Sequence, residues 1–64
     1  MALTKEEKEE MVEGYIKAGE VNLFRIEVEI AAAQTQTDVN KATAKKVSQE
    51  TEIQKLKDFK ETLK

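Results

Sequence analysis

The run Leu23-Phe24-Arg25-Ile26-Glu27-Val28-Glu29-Ile30-Ala31-Ala32-Ala33 is the densest apolar stretch in a strongly polar chain, and any fold must find a way to cover it. Read as a helix at 100° per residue, it puts Leu23, Ile26, Ile30 and Ala33 on one side and Phe24, Val28, Ala31 and Ala32 on another. Such a helix is apolar on two sides. Read as a strand, it alternates: Phe24, Ile26, Val28 and Ile30 face one way, Arg25, Glu27 and Glu29 the other. Nothing else in the sequence looks like a strand, so its backbone would have to pair with another copy, and a lone two-stranded ribbon is marginal in water. Ala31 to Ala33 continue the run with the strongest helix former. The helix is the preferred reading, and an α+β dimer with an intermolecular strand at 24–30 is the alternative.

Sixty-four residues make one small domain, spanning 1–64. With the seven alanines set aside, eighteen side chains are large enough to build a core. Chains this small usually need a staple. Without Cys or His there is neither a disulfide nor a structural zinc site, which leaves oligomerisation or docking on a larger protein.

Thr4 and Glu7 have the spacing of a capping box, and Glu6, Glu7, Glu9 and Glu10 crowd the first turns, where the helix dipole favours anions. A helix is predicted to start at Thr4 and run to about residue 18. Met11, Val12, Tyr15 and Ile16 share one face of it, and Gly19 is placed to stop it. Gly14, inside this helix, marks either a close helix crossing or a merely tolerated glycine. Asn22 is a competent N-cap for a second helix beginning at Leu23.

From there the chain reads as one long helix to residue 63 or as a helical hairpin. In the hairpin, 34–37 (Gln-Thr-Gln-Thr) is the loop and Asp38 caps the next helix. Val39, Ala42, Lys46, Gln49, Ile53, Leu56, Lys60 and Leu63 fit a heptad a/d frame of the coiled-coil kind, weakened by its two lysines and its glutamine. Ile53, Leu56, Phe59 and Leu63 form a C-terminal stripe that needs something to pack on, with Met11, Val12, Tyr15 and Ile16 the obvious candidates from the same chain or the next.

The missing residue types narrow the chemistry. Without His or Cys, the commonest general base, the thiolate nucleophile and the soft metal ligands are all absent, and Ser48 and Tyr15 have no adjacent base of the usual type. The reading is therefore a non-enzyme without a cofactor. Glu6, Glu9, Glu10 and Glu13 are neighbours on one helix but lack the loop spacing of a calcium site. The only glycines, Gly14 and Gly19, form no phosphate loop.

A net charge of −2 gives no general attraction to nucleic acid. Residues 1–33 carry four basic and eight acidic side chains and residues 34–64 carry seven and five, an asymmetry that could pair copies antiparallel or head to tail. The chain begins without a basic or apolar leader, and no apolar run is long enough to cross a membrane. A small acidic cytoplasmic protein is expected.

The alternating residues Phe24 to Ile30, followed by helix, resemble the strand of the ribbon-helix-helix repressors, a resemblance that implies a DNA-binding dimer. It covers only those seven residues, and the second half lacks a recognisable inter-helix turn. In composition, rich in Lys and Glu and free of Cys, His, Pro and Trp, the chain is similar to the small accessory products of bacterial phages, which would place it in the host cytoplasm. The sequence leads to an all-α homo-oligomer that binds protein, either as an assembly component or as an inhibitor of a host protein. Leu23, Phe24, Ile26, Val28, Ile30, Ile53, Leu56, Phe59 and Leu63 are the candidate interface.

Overall fold

Thr4 opens the first helix, as its spacing to Glu7 predicts. In the computed structural model, which describes residues 2–63, the Glu7 amide donates to Thr4 Oγ1 at 3.1 Å and the Thr4 amide donates to Glu7 Oε1 at 3.0 Å. The resulting helix, α1 (Lys5–Ala32), continues for 28 residues through both glycines and nearly the whole apolar run.

Two expectations are corrected here. The helix does not end near residue 18, because Gly19 lies inside it and Asn22 caps nothing. Segment 24–30 is helical, so the intermolecular strand is not formed, and with it goes the structural basis of the ribbon-helix-helix resemblance. The physical reason is a pattern that runs through the supposed break. Val12, Ile16, Gly19, Leu23, Ile26, Ile30 and Ala33 recur at alternating steps of four and three and all turn inward. Gly19 belongs to that row, and what it loses in helix propensity, about 1 kcal/mol against Ala, is offset by the close packing it permits.

The chain reverses over Ala33–Thr35, so the hairpin forms rather than one long helix. Ala33 is extended (φ −66°, ψ 134°), which ends α1, and its amide donates to the Ile30 carbonyl at 3.2 Å. Thr35, also extended, caps the second helix, its Oγ1 accepting from the Asp38 amide at 3.1 Å. Asp38 is thus not the cap as expected; it stands in the first turn, where its charge complements the dipole. The reversal is made without a single positive φ among the described residues, which is why neither Gly nor Pro marks it.

The second helix, α2 (Gln36–Glu61), spans 26 residues. Its interior threonines are accommodated by donating back to the preceding turn, Thr43 to the Val39 carbonyl at 2.7 Å and Thr51 to that of Val47 at 3.0 Å. The heptad row Val39, Ala42, Lys46, Gln49, Ile53, Leu56, Lys60 and Leu63 is the inward face of α2, continued by Leu63 just past its end. The two helices pack into a rod 51 Å long and 15 Å across.

The seam joins small residues to large ones. Gly19 faces Ile53 and Gln49, and counting outward in antiparallel register brings Ile30 opposite Ala42 and Leu23 opposite Gln49. Val12, Ala42 and Ile53 are the only buried hydrophobic side chains among the described residues. The rest of the seam is half-buried, since two helices alone leave both edges of it open. Among the described residues no helix is long and apolar enough to cross a membrane.

Candidate interaction surface

The nine candidate residues divide into two sets. Leu23, Ile26, Ile30, Ile53, Leu56 and Leu63 lie along the seam, where they pack one helix of the chain on the other. Phe24, Val28 and Phe59 stand outside it, with Phe24 67% and Phe59 54% exposed. The C-terminal stripe does meet the N-terminal one within a single chain: Ile16 and Leu63 line the same groove.

Several exposed apolar residues fall outside the candidate set. Met11, Tyr15, Val21 and Val47 are each at least half exposed. The signal for Met11 and Tyr15 lies in the periodicity: once Val12 and Ile16 are assigned to the inward row, their immediate neighbours must point sideways. Val21, Phe24 and Val28, at spacings of three and four, form a ridge along the outer surface of α1.

The two edges of the seam differ in chemistry. On one, the heptad-spaced row Glu13, Glu20, Glu27 of α1 runs beside Glu50, Gln54 and Lys57 of α2, and an open groove there is lined by Glu9, Glu13, Lys17, Glu20, Lys57 and Lys60. The Lys60 ammonium leaves the seam to bond Glu13 Oε1, and that hydrogen bond holds it protonated to higher pH than an ordinary lysine.

On the opposite edge, α1 presents the row Tyr15, Asn22, Glu29 and α2 the row Lys45, Glu52, Phe59, each again spaced by seven. Lys45 and Glu29 approach to 3.6 Å near the reversal, and Ala32, Ala33 and Lys41 complete that end. At the other end this edge carries Met11, Tyr15 and Phe59, with Lys8 a heptad before Tyr15 and Lys55 one turn before Phe59.

These cross-helix pairs account within one chain for the acidic first half and basic second half, because the hairpin lays one along the other. Such exposed pairs serve register more than stability. At the start of α1, the hydrogen bonds from the Thr4 backbone and then the Thr4 side chain hold the Glu7 carboxyl below its ordinary pKa of 4.5. Among the described residues no three metal-ligating side chains come together, the four carboxylates of the first turns included. No protein family, curated protein or solved structure matches the chain.

Proposed function

We propose that this chain is a non-enzymatic helical module that associates with itself and presents a surface to another protein, in the manner of a small assembly component. The observation that carries this reading is the apolar area left over once the hairpin has formed. Among the described residues three hydrophobic side chains are buried, whereas Met11, Tyr15, Val21, Phe24, Val28, Val47 and Phe59 remain at least half exposed. A monomer seldom keeps so much of its large apolar complement in water without a partner. Self-association covers the edges of the seam, and the outer ridge of Val21, Phe24 and Val28 is the surface available to a different protein.

Mass in solution by light scattering, taken with far-ultraviolet circular dichroism across a dilution series, tests the reading. A discrete oligomer whose helicity falls as it dissociates is the expected result. A fully helical monomer at every concentration would remove self-association from the account. An inhibitor of an unrelated enzyme is the second reading, favoured by the separation of the Val21-Phe24-Val28 ridge from the seam edges. It predicts stoichiometric copurification with that enzyme, whereas an assembly component copurifies with structural partners.

A further inference from the structure

Resting on the self-association just proposed, we infer that the partner is a second copy seated on the edge that bears Tyr15 and Phe59, with both helix reversals at the same end of a four-helix dimer. Area is the first argument. One side of a rod 51 Å by 15 Å offers on the order of 800 Å², about what each partner contributes to a stable interface of standard size. Only docking along the full length supplies that much.

Charge decides which edge is used. A twofold axis parallel to the rod lays α1 of one copy antiparallel to α2 of the other. On the Tyr15 edge this sets Tyr15 against Phe59 of the second copy, Asn22 against its Glu52 and Glu29 against its Lys45. Apolar meets apolar, and anion meets cation. The same operation on the other edge sets Glu13 against Lys57 but Glu20 against Glu50 and Glu27 against Thr43, and the like charges held together there oppose association.

Charge also decides direction. With the reversals at opposite ends, α1 lies on α1, so Tyr15 would fall on Glu29 of the second copy and Phe59 on its Lys45. The Glu29 and Lys45 side chains of one copy would then lose their opposite-sign partners in the other. Pairing α1 with α1 in that direction would also bring the two Glu52 side chains together. The groove of the opposite edge, lined by glutamates and lysines alike, faces away from the interface.

The test uses the full chain, which has no cysteine of its own. A spin label on Gln34→Cys, at the reversal, reports direction through the label-to-label distance in the dimer. A distance well under the rod's 51 Å length is expected, and one near that length overturns the proposed direction while leaving self-association standing. Tyr15→Glu and Phe59→Glu each test the edge. Both residues are more than half exposed, so circular dichroism at high concentration should show the hairpin intact. The dimer dissociation constant should rise at least about tenfold, whereas Glu20→Gln on the other edge should leave it unchanged or lower it. A dimer indifferent to Tyr15→Glu and Phe59→Glu overturns the assigned edge. A monomer of the unsubstituted chain at every concentration overturns this inference and the self-association beneath it together.

Discussion

Gly19 lies so close to Ile53 that a methyl group in place of its hydrogen would stand 2.9 Å from Ile53 Cγ1 and 3.1 Å from Gln49 Nε2. Gly14, five residues earlier on the same helix, has nothing within 4 Å of the corresponding position. The two glycines therefore predict opposite outcomes for one substitution. Gly14→Ala should stabilise by about 1 kcal/mol through helix propensity. Gly19→Ala gains the same propensity but must push Ile53 aside, and overpacking of about 1–3 kcal/mol leaves it neutral to destabilised. Thermal melts of the two variants side by side check the pair. Equal stabilisation would mean that the helices do not cross closely at Gly19.

Ile53 is the most enclosed large side chain of α2. Ile53→Ala should cost about 2–5 kcal/mol, with Leu56→Ala, at a half-buried seam position, toward the lower end of that range. Urea denaturation gives both values. A melting curve indifferent to Ile53→Ala would place α2 off the seam.

Lys46 and Gln49 hold inward positions that an apolar residue would fill, facing the part of α1 that carries Leu23 and Ile26. Replacing either with Leu should raise stability by about 1 kcal/mol through added apolar burial. If the helices pair as described, the Lys46→Leu and Gln49→Leu variants raise the urea midpoint, and a fall in both would show that these side chains make polar contacts worth more than burial.

The capping box gives an acid dependence with a definite sign. Because the folded pKa of Glu7 lies below its ordinary 4.5, the stability it lends is present above the unfolded value and lost as pH falls through the folded one. The difference in melting temperature between the unsubstituted chain and Glu7→Ala should accordingly shrink well below pH 4.5. Lys60 behaves in the opposite sense. Its raised pKa gives a contribution that is complete below the ordinary lysine value of 10.5 and lost as pH rises through the folded one, so Lys60→Met should flatten the alkaline limb of the stability curve.

Thr35 offers a local check on the reversal. Thr35→Ala removes the hydroxyl that accepts from the Asp38 amide and should cost about 1 kcal/mol, while Asp38→Asn, which keeps Thr35 as the cap, should cost less. Amide exchange at Asp38 should speed up in the first variant alone.

The helical class, the start at Thr4 and the inward row of α2 were legible in the sequence, because capping chemistry and a heptad spacing are local signals. The continuity of α1 was not. Gly19 carries two incompatible meanings in a single sequence, helix stop or close crossing, and the choice depends on Ile53, a residue thirty-odd positions away that local spacing does not bring into view. The strand-like alternation at 24–30 misled for a related reason. Ile26 and Ile30 belong to the seam, while Phe24 and Val28 belong to the outer surface, and the superposition of two helical rows imitates a period of two. Of the candidate interface residues, Phe24, Val28 and Phe59 are available to a partner on the outside of the hairpin. Met11 and Tyr15 became apparent as surface residues only when Val12 and Ile16 had been placed inward.

The short connection from Ala33 to Thr35 also sets the order in which the hairpin can assemble. Ala33 and Val39 are neighbours along the chain, Ile30 and Ala42 only a little less so, and each later layer encloses a slightly longer loop than the one before. Closure entropy grows only logarithmically with loop length, so once the first layer has formed the helices can zip toward the termini at small added cost per step. The layers around Val12 and Lys60 close last and open first, and amide exchange should follow that gradient from one end of the rod to the other. A ligand that seats on Met11, Tyr15 and Phe59 would thus act as a clasp on the least secure turns of the structure.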